Sequence, residues 1–330
     1  MRRNILFFIL LWAGVVSCQS SVQKKHVTVV FYNVENLFDT VDDPMVNDEE
    51  FLPGSDKNWT QERYQKKLND IARVIVDINR EDLPEIVGLC EIENQSVLED
   101  LVKTKDLSNG KYRIIHEESP DKRGIDVALL YRQGEFKELS HEVLTVNPGF
   151  KTRDILHVYG KLGHDKIHLF VNHWPSRIGG LVQSQSNREV AAAVLKSGVD
   201  EILKDDPSAK IIILGDMNDE PDNESIRMTL GAKDPESHAE LVNLMMPLDE
   251  QNLGSYNYRG TWNMLDNLIV TESLVRGRGF ITKAPGHIFH EKWMEYKNKN
   301  GEISPNRTYG GPNYYGGVSD HFPVYLELNR

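Results

Sequence analysis

The chain has 330 residues, 39% hydrophobic and 27% charged, with a formal net charge of -12. That composition describes a soluble domain, or two modest ones, with enough apolar material for a sizeable core. Such broad acidity argues against nonspecific coating of nucleic acid, although a local basic groove is compatible with it.

Arg2 and Arg3 precede an apolar run from Ile5 to Val16, followed by Ser17 and Cys18. A charged head, a short apolar run and a small residue before the cut form an export signal too short to span a bilayer comfortably. Val15-Val16-Ser17-Cys18 is similar to a bacterial lipobox, in which the cysteine becomes the lipidated first residue. The expected division is 1–17 signal peptide, 18–25 lipidated Cys and polar tether, and 26–330 one folded domain. Cys18 would then anchor an envelope protein to the bilayer, facing either the periplasm or the surface. Cys90 alone remains after processing, which excludes an internal disulfide and leaves core burial to stabilise the fold. It sits in an apolar stretch and reads as a buried small hydrophobe.

His26 to Asn33 is a β-rich run, and residues 39–59 are acidic and proline-containing, as in a surface loop. Thr60 to Asn79 repeats Tyr64, Leu68, Ile71, Ile75 and Ile78 at helical spacing. Pro84 opens a second strand, EIVGLCEIEN, and Tyr112–His116 and Ile125–Arg132 read as two more. Ile155–Leu162 and Lys166–His173 predict a hairpin through Gly163-His164-Asp165, followed by the loop NHWPSRIGG. An alanine-rich helix from Arg188 to Leu203 leads into KIIILGDMNDEP at 210–221. Residues 223–246 read as helical, and Ser255–Gly260 and Leu265–Val270 as strands. An aromatic, glycine-rich loop over 284–317 precedes the last strand, Phe322–Leu328. Strands and helices mix without a strict βαβ rhythm, which predicts one α/β domain with a largely antiparallel or mixed core.

The apolar runs deliver polar, acid-base or metal-capable residues at their ends: Asn33, Glu91, His173, Asp216 with Asn218, and Asp266, with Asp320-His321 before the final strand. Taken alone, Gly215-Asp216-Met217-Asn218 reads as a turn, since Gly, Asp and Asn favour turns for backbone reasons. Polar residues converging from many strands, however, are how a catalytic rim is built on a rigid scaffold.

FYNVENLF, EIVGLCEIEN, NHWPSR, IILGDMNDEP, LDNLIV and GGVSDHFPV together resemble the ordered motif set of the endonuclease/exonuclease/phosphatase family, the DNase I and exonuclease III superfamily. The resemblance runs from about Val27 to Leu328. It implies an α/β, DNase I-like four-layer sandwich: two mixed, mainly antiparallel sheets packed face to face and flanked by helices. It also implies hydrolysis of phosphoesters with bound Mg²⁺, for which Mn²⁺ could substitute. Under it, Glu91 is a metal ligand, Asn33 belongs to the metal site and Asp320 is a possible second ligand. Asp216 positions or deprotonates the attacking water, and Asn218 holds a phosphate oxygen. Asp266 and His321 form an Asp-His pair, and His173 lies near the leaving group. The base is left open between Asp216 and His321.

Ser176 and Arg177 could hold a substrate phosphate, arginine being a planar oxyanion clamp. Arg188 is a weaker candidate, reading more simply as an exposed helix residue, and Asp126 could orient His173. Glu93, one alternation from Glu91, could share the site. A zinc cluster of His164, His168 and His173 is disfavoured because the last two fall on opposite faces of one strand. Basic residues are scattered, so the expected substrate, whether nucleic acid, nucleotide or small phosphoester, is not set by a basic stripe. No protein partner is implied. The expected enzyme is a phosphodiesterase or nuclease; the alternatives are a phosphomonoesterase on a small nucleotide, sugar or lipid headgroup phosphate, and a catalytically silent binding lipoprotein.

Overall fold

The computed structural model describes residues 26–330, so the expected signal sequence, the tether and Cys18 lie outside the described residues. In chain order the elements are β1 (His26–Leu37), α1 (Gln61–Ile78), β2 (Ile86–Ile92), α2 (Gln95–Lys103), β3 (Tyr112–His116) and β4 (Asp126–Arg132). β5 (Phe136–Leu144), β6 (Ile155–Leu162), β7 (Asp165–His173), α3 (Leu181–Asp205) and β8 (Lys210–Asp216) follow. Then come β9 (Ala232–Lys233), β10 (Leu241–Asn243), α4 (Met246–Asp249), β11 (Tyr256–Tyr258), β12 (Thr261–Asn263), β13 (Asp266–Thr271) and α5 (Glu272–Arg276). The C-terminal part holds β14 (His287–Ile288), β15 (Glu295–Lys297), β16 (Ile303–Pro305), β17 (Tyr309–Gly310), β18 (Asn313–Tyr314) and β19 (Val324–Asn329).

One sheet has the order β14-β19-β1-β2-β4-β3 and the other β5-β6-β7-β8-β13-β10-β9. Each has a parallel pair at its centre, β1 with β2 and β7 with β8, among mostly antiparallel neighbours. Alternation along each strand explains the four layers. Phe31, Cys90 and Leu129 of the first sheet meet Leu169, Leu214 and Leu268 of the second in a shared inner core. Val30, Tyr32 and Leu89 face the other way, against Tyr64, Leu68 and Ile71 of α1. Phe170, Ile211 and Ile213 likewise pack on Ala191, Leu195 and Val199 of α3. Strands covered on both faces read as continuous apolar runs, which is what the sequence shows. The two sheets pack closely at Gly88, where an added Cβ would lie 2.1 Å from Leu214 Cδ1. Burial pushes the Cys90 thiol pKa well up, consistent with a structural residue.

Several expectations need correction. The stretch 223–246 is helical only as a short wide turn, Ser225–Leu230; β10 then pairs antiparallel with β13 and parallel with the edge strand β9. Ser255–Gly260 is not one strand but half of the hairpin β11–β12, reversed at Arg259-Gly260. The loop 284–317 contains two ribbons, β15 with β16 and β17 with β18. Helix α3 starts at Leu181, before Arg188. Arg188 is fully buried, pairing with Asp219 at 2.7 Å and donating to Ser184 Oγ and Leu181 O, so it is no exposed helix arginine. Among the described residues no helix is long and apolar enough to cross a membrane.

Candidate active site

The inner-face alternation of each central strand continues past the apolar core into polar residues at one end of the sandwich. Ile212 and Leu214 lead to Asp216 on β8, Val171 to His173 on β7, and Leu268 stands two residues from Asp266 on β13. The register places His173 opposite Asp216 and Asp216 opposite Asp266, so three strands deliver one row. From the first sheet, Phe31 leads to Asn33 on β1.

Both first-sheet strands kink at this rim. The β1–β2 register shifts between Asn33 and Leu37, and Glu35, Asn36 and Glu91 adopt left-handed φ of 52°, 54° and 62°. Such bulges re-aim side chains, and strain of this kind in non-glycine residues clusters at functional sites. Here Glu91 Oε2 accepts from the Asn36 backbone N–H at 2.9 Å, and Oε1 lies 4.0 Å from His173 Nε2.

His321 comes from the turn before β19. Its Nδ1 is 2.6 Å from Asp266 Oδ2, and its Nε2 is 3.8 Å from Asp216 Oδ2. Ser255 Oγ donates to the same Asp266 oxygen, which fixes the carboxylate. Ser319 Oγ accepts from the His321 backbone N–H and donates to the Asn33 carbonyl, tying the turn to β1.

The charges are coupled. Burial raises the Asp216 pKa to about 7, with Asp266 adding repulsion against the pull of His321. Burial alone would lower the His321 pKa, but Asp266 and Asp216 outweigh it and hold the imidazole well above its usual value. His173 is held well below the ordinary histidine range by burial and by Arg153 and Arg123, so it is neutral.

Some expected residues stand elsewhere in this arrangement. Asn33 Nδ2 donates to Asp216 at 3.0 Å and faces Glu91 at 3.5 Å, while its oxygen accepts from the Glu35 N–H. Asn33 therefore positions two carboxylates rather than offering oxygen to a cation. Asp320 lies outside the cluster, paired with Arg307 at 3.0 Å. The Arg177 guanidinium is taken up by the Asn218 carbonyl, Asn263, Glu220 and Asn223, so four of its five N–H groups shape the loop that presents Asn218 rather than meet a phosphate. Ser176 is half-buried beside Arg177 in the loop between β7 and α3. Asp126 holds His116 at 3.0 Å, not His173. Glu93 turns away to accept from the Asp39 N–H. His168 pairs with His157 at 2.9 Å, apart from His173.

Two supporting residues escaped the sequence reading. Arg153, buried, donates to Asp121 and to the Trp174 carbonyl, which also accepts from Asn218 Nδ2 at 3.1 Å. Lys67, 2% exposed, donates to the Glu35 carbonyl, Thr308 Oγ1 and the Val318 carbonyl at 2.8, 2.6 and 2.6 Å. It thereby joins the β1 kink to the turn carrying His321.

Asp216, Asp266 and His321 offer ligand atoms within 4.8 Å of one another, and Asp266 Oδ1 is buried without a hydrogen-bond partner. Together with Glu91, this oxygen-rich donor set fits a hard divalent cation.

The family model described as Endonuclease/Exonuclease/phosphatase family matches residues 28–330. The chain belongs to this family. Solved structures of the family fold are similar at low identity. Zebrafish (D. rerio) TDP2 complexed with single-strand DNA product is 13% identical, with TM-score 0.59 over 93% of this chain and 100% of that one. Bacteroides thetaiotaomicron mannosyl-6-phosphatase Bt3783 is 18% identical, with TM-score 0.58 over 92% and 100%. The human Nocturnin catalytic domain with bound sulfate is 16% identical, with TM-score 0.57 over 93% and 96%. No curated protein matches. The DNase I-like sandwich expected from the six family motifs is the fold observed.

Proposed function

We propose that this family member is a Mg²⁺-dependent phosphoester hydrolase, of phosphodiesterase or nuclease type, acting by in-line attack of water on phosphorus. The observation that carries the reading is the in-register row His173, Asp216 and Asp266, met by His321 at 2.6 Å from Asp266. Glu91 would hold the cation, which when bound would neutralise phosphoryl oxygens; Mn²⁺ would substitute. Asp216 takes the proton of the attacking water, because Asp266 and Asp216 keep His321 protonated and unavailable as a base. The imidazolium of His321 then stabilises charge developing on the phosphoryl group. Asn218 Nδ2 has two hydrogens, and the Trp174 carbonyl takes one, leaving the other for a phosphoryl oxygen. Neutral His173, facing Glu91 and Asp216, borders the leaving group.

Hydrolysis in ¹⁸O-labelled water tests this chemistry. The expected result is one label in the phosphorus-bearing product; label in the released alcohol would contradict attack at phosphorus.

Anchoring through Cys18 in the cell envelope is part of the proposal. β1 runs from His26, next to the tether, to Asn33 at the rim, roughly 23 Å of extended chain. Palmitate labelling of the full chain that persists in Cys18→Ala would overturn the anchor.

A further inference from the structure

Two grooves leave the catalytic cluster, and they differ in charge. One, of about 750 Å³, is lined by Glu35, Glu49, Glu50 and Asp56, with Lys57 already paired to Glu50. The other, of about 490 Å³, opens beside His321 and Asp320 and is lined by Tyr256, Tyr258, Arg259, Tyr296 and Arg307. Tyr256 lies against the His321 ring, centroids 4.9 Å apart, so this groove begins at the catalytic histidine. Its outer wall is the β11–β12 tip, where Arg259 and Gly260 both take positive φ, 52° and 93°, as a two-residue type I′ turn requires. The tip leaves Tyr258 53% exposed, and Tyr296 on β15 is 52% exposed. The groove's carboxylates are engaged, Asp320 by Arg307 and Glu302 by Asn298 Nδ2. The Arg259 guanidinium, 5.1 Å from the Tyr258 ring centre, makes no ion pair among the described residues. A surface otherwise acidic thus presents two half-exposed aromatic rings and, over one of them, a cation without an ion pair among the described residues.

Resting on the hydrolase reading, we propose that this groove binds the organic part of the substrate and selects a nucleotide. The base stacks on Tyr258 and Tyr296, and a second phosphate meets Arg259. Stacking on an exposed ring is worth about 1–3 kcal/mol per base, and a planar guanidinium suits a phosphate. A sugar phosphate supplies neither a flat ring nor a second anion, and the acidic groove repels both.

The test is binding of adenosine 3′,5′-bisphosphate with EDTA present, compared with ribose 5-phosphate, to residues 26–330 and to the Tyr258→Ala/Arg259→Ala variant. Both residues sit on a solvent-facing hairpin tip. Wild type should bind the bisphosphate at least about tenfold more tightly than the variant does, with a smaller difference for ribose 5-phosphate. Equal affinities in the two proteins, or an equal loss for both ligands, would overturn the assignment. Hydrolysis of methyl phosphate and dimethyl phosphate with Mg²⁺ is measured in parallel. A wild type that hydrolyses neither of these, nor an oligonucleotide or nucleotide, but still binds the bisphosphate more tightly than the variant would refute the hydrolase reading and leave the groove standing.

Discussion

Asp216→Asn is expected to lower kcat about 10²–10⁴-fold, the usual contribution of a positioned general base, and at the same time to raise stability. The residue is 2% exposed and stands between Asp266 and Asn33, so its charge is unfavourable in the fold. Its pKa is about 7 in the folded chain against an ordinary carboxyl value of 3.8. Below about pH 4 the group is neutral in both the folded and unfolded chains, and its side chain costs nothing extra. As pH rises from there to 7, the unfolded chain ionises it and the folded chain does not, so stability is lost progressively. The neutral asparagine removes that loss, and its amide oxygen can still accept from Asn33 or from the Asn218 N–H. Urea unfolding with chelator present should therefore show the variant more stable by about 1–3 kcal/mol at pH 8, with the difference shrinking toward pH 4. A variant that is inactive and also less stable at pH 8 would mean that Asp216 is mainly a structural residue.

Lys67→Met should cost about 3–5 kcal/mol, the range for breaking a buried charge network by removing one partner. Three acceptors, the carbonyls of Glu35 and Val318 and the hydroxyl of Thr308, would lose their donor inside the protein. Glu35 would also lose the cation that offsets part of its own buried charge, since its pKa is already pushed to about 7 by burial and by Asp320. Because Lys67 spans the β1 kink and the turn that leads to Ser319 and His321, the variant should also lose about 10²-fold in kcat at temperatures where it remains folded. Glu35→Gln in the same chain should restore part of the stability, measured by urea unfolding, as removing both charges is milder than removing one. Full activity in Lys67→Met would show that the two segments hold their geometry without the clamp.

Lys67 and Arg188 also show what a sequence can reveal and where it misleads. Both were legible as positions, because Lys67 lies three residues after Tyr64 and four before Ile71, on the apolar stripe of α1. Arg188 stands between Ser184 and Ala191–Ala192 on the buried stripe of α3. Charge makes Arg188 read as an exposed residue and leaves Lys67 unremarked, although helical periodicity puts both inside. The strand ends were read more directly, because an apolar run buried on both faces must reach the rim where its polar residue begins. That is why Asn33, Glu91, His173, Asp216 and Asp266 could be named before any contact was known. What each side chain does there was not legible in the same way. Asn33 turns its nitrogen toward Asp216, Asp320 is claimed by Arg307, and Arg177 is drawn to Asn218 and Asn263, all through partners 13 to 183 residues distant. The span 223–246 failed for a related reason. Its Leu-Val-Asn strand is decided by pairing with β13 and β9 rather than by any local pattern.

The most direct test of the central claim is the initial rate of phosphoester hydrolysis by residues 26–330, measured after exhaustive chelation and again during titration with Mg²⁺. Dimethyl phosphate, methyl phosphate, oligonucleotides and nucleotides would be assayed side by side. The arrangement of Glu91, Asp216, Asp266 and His321 predicts negligible turnover without metal and saturable recovery with Mg²⁺ on at least one of these esters. A folded, metal-replete protein that hydrolyses none of them, with Mg²⁺ or Mn²⁺, would contradict the account and favour a binding role for the same fold.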